Sequence, residues 1–309
     1  MEAQKQHSPW YSLMILLGLT LGCAIVTQFL GLIGFVLVTG KADWLFNPEA
    51  ATGLLESPGF LYSTLLISSV GTFLLPSLIL QNMEKGQYRY FPNNTNKIGL
   101  YLLLTLLFLV VFNPAMEFIS LWNQKMSFPE SMKGVETWMF DKEQESSYII
   151  EKVIATTSPL FLFLNLIVMA VVPAIVEEFY FRGSLQGILT RMFGNIHVAI
   201  WVTAIVFSAI HLQFYGFFPR MILGLIFGYS FYWTQNIWVA VFGHFINNAA
   251  VTIIAYVLLN EGKTFKEIQT MESYSSIYYI LSVLLAIAVG YYFYQVSRKS
   301  HEHKQSQLG

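Results

Sequence analysis

The chain has 309 residues, 55% of them hydrophobic, 16% aromatic and only 11% charged, less than half the roughly 25% charge that covers an ordinary soluble domain. Such a sequence cannot make a water-facing surface. A formal net charge of −1 with scattered basic residues argues against nucleic acid as a partner, and one cysteine, Cys23, allows no intrachain disulfide.

Crossing the hydrocarbon core takes about 20 apolar residues in a helix. Eight stretches reach or approach that length, at about residues 12–38, 61–82, 98–120, 155–176, 196–213, 219–234, 237–259 and 276–296. They predict an all-α, polytopic integral membrane bundle of about eight transmembrane helices, with the lipid bilayer as its surroundings. The first stretch is too long for a signal-peptide core and its n-region offers only Lys5, so it reads as a retained span. Residues 84–97 carry Lys85, Arg89 and Lys97, whereas residues 40–58 set Lys41 against Asp43, Glu49 and Glu56. That contrast puts the 84–97 loop inside, and an even number of spans then puts both termini in the cytoplasm, in agreement with Arg298, Lys299 and Lys304 in the tail. Between the third and fourth spans, Pro129–Tyr148 mixes Met132, Val135, Trp138, Met139 and Phe140 with acids and lysines. It reads either as an interfacial amphipathic helix or as a solvated loop with aromatic anchors.

Function shows where charge meets apolar sequence, because an ionisable side chain at mid-bilayer costs about 2.5–3.5 kcal/mol on insertion scales. Residues 170–183, AVVPAIVEEFYFRG, set Glu177, Glu178 and Arg182 directly after the fourth span, at one membrane end. Glu178 and Arg182 are four apart and share a helix face, while Glu177 lies about 100° round the axis. A wet helix end would explain these charges alone. His211 closes the run FSAIH, and His244 and Asn248 lie one turn apart inside the seventh span. Each could be an ordinary interfacial or interhelical contact; together they resemble the polar clusters that mark reaction centres in membranes.

These residues resemble the family of CAAX prenyl proteases and bacteriocin-processing enzymes, the CPBP or Abi intramembrane proteases. The family's three patterns are EExxxR, FxxxH and HxxxN, met here in order by Glu177, Glu178 and Arg182, by Phe207 and His211, and by His244 and Asn248. The resemblance covers about residues 155–259. It implies a catalytic core within 151–260, preceded by helices of unassigned role in 1–150 and followed by a last span and polar tail in 261–309. It implies an intramembrane endopeptidase acting on a membrane-associated protein or peptide, prenylated, bacteriocin-like or of another kind. Glu177, Glu178, His211, His244 and Asn248 would be catalytic, and Arg182 and Phe207 would orient them.

Peptide hydrolysis needs an activated water, oxyanion stabilisation and protonation of the leaving amine. In one version Glu177 and His211 hold and deprotonate the water while His244 and Asn248 donate to the oxyanion. In the other, Glu178, His211 and His244 coordinate zinc, and the remaining glutamate is the base. No H-E-x-x-H pair supports zinc, which favours the first version. The serine and aspartate layouts G-x-S-G and G-x-G-D are absent, and Ser184 lacks the following glycine.

His7, His301 and His303 lie in polar tails and read as solvated; His197, beside Asn195, reads as interfacial. Glu117, with Asn113 in the third span, is a secondary candidate for lining a cavity. The rival classes are a transporter, which should show internal pseudo-symmetry that this sequence lacks, and a non-catalytic membrane scaffold. Short tails without eukaryotic sorting features point to a bacterial plasma membrane.

Overall fold

The computed structural model describes residues 7–40, 42, 47, 57–271 and 274–306, with side chains described as far as residue 298. Lys41, Asp43, Glu49 and Glu56, whose charges entered the orientation argument, lie outside the described residues, as do the side chains of Lys299, His301, His303 and Lys304. The described residues form an all-α bundle. In chain order its helices are α1 (Pro9–Thr39), α2 (Pro58–Met83), α3 (Ile98–Gln124), α4 (Lys133–Ile154), α5 (Pro159–Phe193), α6 (Ile196–Ala209), α7 (Phe217–Thr234), α8 (Ile237–Asn260), α9 (Phe265–Thr270) and α10 (Ser276–Ser306).

Among the described residues seven helices are long and apolar enough to cross a membrane: α1, α2, α3, α5, the segment Phe214–Thr234, α8 and the Ser276–Arg298 part of α10. The eighth expected span, 196–213, is the short helix α6. Its 14 residues rise only about 21 Å, less than the roughly 30 Å hydrocarbon core. The apolar run does not continue as helix because the chain reverses at Leu212, which takes a left-handed φ of 53°.

The fourth span also differs from expectation. It starts at Pro159, where proline fits the first helical turn, and runs on to Phe193, closed by Gly194 at φ 62°. Glu177, Glu178 and Arg182 therefore stand in the middle of a 35-residue helix and not at its membrane end. Two wide π-type segments, Leu166–Val171 and Phe179–Leu185, flank the pair of acids. Such segments insert an extra residue per turn and recur at functional sites. Polar residues beyond Arg182 stay inside the protein: Ser184 and Gln186 are buried, and Gln186 reaches the Gly228 carbonyl of α7 at 3.4 Å.

Of the two readings of the segment before the fourth span, the helix holds. Helix α4 carries the i,i+3 pairs Lys133–Glu136 and Lys142–Glu145 and leaves Val135, Trp138, Phe140 and Tyr148 exposed. Its end is tucked in through buried Val153 and Ile154, and Trp138 packs on Phe214 with ring centroids 5.3 Å apart.

At the opposite end, the 84–97 loop lies against the tight turn between α7 and α8. Asn94 N donates to Gln235 O at 3.0 Å, Ile237 N to Pro92 O at 2.9 Å, and Asn236 Nδ2 to Asn94 O at 2.6 Å. Glu84 fastens the start of this loop. It is almost completely buried, accepts from Ser12 Oγ at 2.6 Å and His7 Nδ1 at 3.2 Å, and hydrogen-bonds the Tyr90 hydroxyl. Arg191, at the end of α5, completes the cluster, 3.6 Å from Glu84 and stacked 3.4 Å over the Tyr88 ring. Burial and the neighbouring carboxylate push the Tyr90 phenol above its usual range. His7 is therefore not a solvated tail residue; a carboxylate 77 positions away in sequence holds it.

Helix α10 packs along α3. Ser282 Oγ sits at the Pro114 turn of α3, donating to Val111 O at 2.6 Å and accepting from Ala115 N at 3.1 Å. Glu117 accepts from Tyr274 N and the Tyr279 hydroxyl, and Asn113 from the Tyr274 hydroxyl. These contacts tie α10 to α3, away from the main cavity.

Candidate active site

Two consecutive acids on α5 face two environments, as the 100° step of a helix requires. Glu178 is fully buried, as is Arg182. Arg182 Nη1 donates to Glu178 Oε1 at 2.7 Å and Nη2 to the Gly224 carbonyl at 3.2 Å. Its guanidinium lies 4.5 Å over the Phe207 ring and 5.5 Å from that of Phe227, so the cation is paired with a carboxylate and set against two aromatic rings. Glycine at 224 is a spatial requirement: a Cβ there would stand 3.1 Å from the Ala204 Cα and 3.5 Å from Arg182 Nη2, crowding α6 and the guanidinium together.

His244 joins the same carboxylate oxygen from α8, with Nδ1 2.8 Å from Glu178 Oε1. The ring stacks on Phe227 at 5.4 Å and meets Phe207 edge-on at 6.1 Å. A carboxylate paired with arginine only accepts, so Nδ1 carries a proton and Nε2 is turned the other way. Nε2 is 3.9 Å from Glu177 Oε2, a separation that one water can bridge. Glu177 keeps 14% of its side-chain surface accessible and lines a cavity of about 520 Å³.

His211 lines the same cavity. Its Nδ1 is 2.7 Å from the Phe207 carbonyl, which can only accept, so the free lone pair is on Nε2. Phe207 thus serves all three motifs: its carbonyl orients His211, and its ring touches Arg182 and His244. Leu212, strained at positive φ, turns the chain away immediately after His211.

Asn248 lines the cavity one turn beyond His244. Its Nδ2 donates to Met169 O at 3.0 Å and its Oδ1 accepts from Asn247 Nδ2 at 3.1 Å. The reason lies in α5. Pro173 has no N–H to return to the carbonyl four residues back, which is Met169, and Asn248 supplies the donor from outside. One amide N–H of Asn248 is committed to this repair and one is left for the cavity.

All seven residues of the three motifs are therefore gathered around one cavity or its supporting ion network. As a zinc set, Glu178, His211 and His244 do not fit. Glu178 Oε1 and His244 Nδ1 are bonded to each other, and among the described residues no group of three or more His, Cys, Asp or Glu side chains is placed to hold a metal ion.

Four further residues shape the site that sequence reasoning passed over: Arg220 and Asn247, which line the cavity, and Asn123 and Glu143, which hold the turn before α7. Asn123 Nδ2 donates to Phe214 O and its Oδ1 accepts from Phe218 N; Glu143 Oε2 accepts from Tyr215 N. Arg220 was open to discovery, since an arginine at the head of an apolar span is the same signal that exposed Glu177.

An apolar helical bundle with acids, imidazoles and amides converging on an internal cavity defines a polytopic membrane protein with its polar chemistry shielded from lipid. Residues 159–250 match the family described as Rce1-like, type II CAAX prenyl endopeptidase. Over these residues the chain is similar to that family of CAAX-type proteases. No curated protein and no solved structure matches it. The matched segment runs from the first residue of α5 into α8 and contains every motif residue.

Proposed function

We propose that this protein hydrolyses a peptide bond in a membrane-associated protein or peptide, prenylated or bacteriocin-like, with Glu177 as the general base and without a bound metal. The observation that carries this reading is the split between the two acids. Arg182 and His244 both hold Glu178, through its Oε1, whereas Glu177 faces the cavity beside two histidines. Water held by Glu177 and His211 Nε2 gives one proton to Glu177, and its oxygen bonds to the scissile carbonyl carbon. The oxyanion receives the second N–H of Asn248 and the proton of His244 when Nε2 is protonated. The C–N bond breaks as the proton held by Glu177 passes to the leaving amine, yielding a carboxylic acid, which keeps the second water proton, and an amine. General-base action is worth typically 10²–10⁴ in rate and one oxyanion donor about 10²–10³. We place the enzyme in the bacterial plasma membrane.

The test is peptide cleavage by detergent-purified protein, comparing wild type with Glu177→Gln, His211→Ala and His244→Ala, with metal content measured in the same samples. Glu177→Gln is expected to lower kcat by about 10²–10⁴ while thermal unfolding stays within about 2 °C of wild type. Cleavage by Glu177→Gln at the wild-type rate would remove the glutamate from the mechanism. Activity that tracks stoichiometric zinc would favour the metal alternative.

A further inference from the structure

The mechanism leaves one charged side chain of the cavity without a role. Arg220 stands near the start of α7, on the wall of the cavity that holds Glu177, His211 and His244. Its guanidinium is anchored by a single neutral residue: Nη2 donates to Gln213 Oε1 at 2.7 Å and Nη1 to Gln213 O at 3.3 Å. Among the described residues no carboxylate lies within 4.0 Å of it; Glu143 and Glu177 act on it only over longer distances. Arg182, in the same structure, has the paired carboxylate that Arg220 lacks.

The surroundings hold this cation in place. Asn123 fixes the chain on both sides of the turn through Phe214 O and Phe218 N, and Glu143 fixes Tyr215 N. Glycine at 216 leaves room for the guanidinium, since a Cβ there would lie 3.3 Å from Nη2. A half-buried guanidinium without a counter-ion is costly, and Gln213 uses two of its five N–H donors. What remains is a pre-positioned fork suited to a carboxylate, on the wall of the cavity where the peptide bond would be cut.

We propose that Arg220 is a specificity-determining residue that binds a carboxylate of the substrate. The group is either the free C-terminal carboxylate or an acidic side chain near the scissile bond, and the contact sets which bond reaches Glu177. This assignment rests on the proteolytic reading of the cavity.

The experiment uses quenched-fluorescent decapeptides, with and without an S-farnesyl cysteine. Each is made with a free carboxyl terminus, with a C-terminal amide, or with a C-terminal amide following a terminal aspartate. Wild type should prefer the free acid over the neutral amide by about tenfold or more in kcat/KM. In Arg220→Gln that ratio should fall to near one, and Arg220→Lys should keep part of it. If the amidated aspartate peptide matches the free acid, an acidic side chain suffices; if it matches the neutral amide, the terminus itself is read. The assignment is overturned if wild type does not discriminate, or if Arg220→Gln lowers acid and amide by the same factor. If wild type cleaves none of the peptides, the proteolytic reading fails separately. Anisotropy-measured affinities of the acid and amide peptides for wild type and Arg220→Lys then decide the carboxylate site, and equal affinities overturn it.

Discussion

Asn248 has two duties, and one pair of substitutions separates them. Its side chain donates to the Met169 carbonyl, which Pro173 leaves without its usual i+4 donor, and it also faces the cavity. Asn248→Ala should remove both. An unsatisfied carbonyl in a packed helix costs about 1–3 kcal/mol, a loss of roughly 2–5 °C in Tm for a chain of this size. Losing one oxyanion donor should lower kcat by about 10²–10³. Adding Pro173→Ala restores a backbone N–H four residues beyond Met169, so Pro173→Ala/Asn248→Ala should regain most of the lost Tm. It should regain none of the lost kcat, because the oxyanion donor is still missing. Thermal scans by tryptophan fluorescence and single-turnover cleavage, run on wild type, Asn248→Ala, Pro173→Ala and the double variant, give both readouts. A double variant that is no more stable than Asn248→Ala refutes the helix-repair argument, and one that recovers full activity refutes the oxyanion role.

Other expectations follow from the same geometry. Arg182→Met leaves the buried Glu178 carboxylate with His244 alone and should cost about 3–5 kcal/mol; Glu178→Gln/Arg182→Met should be more stable than Arg182→Met in denaturant titration, and equal or lower stability would contradict the ion-pair account. Asn123→Ala strips the half-buried Phe218 N–H and Phe214 carbonyl of their partner and should cost about 1–3 kcal/mol, with KM for free-acid peptides rising because the turn carrying Gln213 loosens. Burial raises the Glu143 carboxyl above its ordinary value of 4.5, so in the window just above that value the folded chain holds a proton the unfolded chain has lost, and stability falls as pH rises through it. Glu143→Gln should therefore flatten the decline of Tm with pH upward from about 4.5, and an unchanged slope would count against the burial assignment.

The chemistry-bearing residues were legible because an ionisable group in an apolar stretch stands out and the i,i+4 spacing fixes which pairs can meet. Their position along the membrane was not. Ser184, Gln186 and Arg191 make the sequence after Arg182 look like the wet end of a helix, yet Ser184 and Gln186 are buried and α5 continues through them on a wide turn. Period-based reading assumes 3.6 residues per turn, and each π-type segment rotates all later side chains by about 100°, so faces inferred across residues 166–185 drift. The shortness of α6 was hidden for a different reason. The reversal at Leu212 uses a left-handed residue with no glycine or proline to announce it. His7 was misread because its partner Glu84 is distant in sequence, and no local pattern reports such contacts. Arg220 was missed although the rule that exposed Glu177 covers it.

The spacing of a single arginine accounts for the unequal roles of two adjacent, chemically identical acids. From position 182 an i−4 partner is residue 178, so Glu178 is the acid drawn into the pair, and Glu177 is left about a quarter-turn away, on the cavity side. Once Arg182 occupies Glu178 Oε1, the same oxygen orients His244 by accepting from Nδ1, which turns Nε2 toward Glu177. A carboxylate so engaged is a poor proton acceptor, because protonating it would leave Arg182 buried without its counter-charge. The neighbour without a counter-ion is the one that can take a proton from water. An arginine at 181 would instead select residue 177 as its i−4 partner and draw that carboxylate away from the cavity.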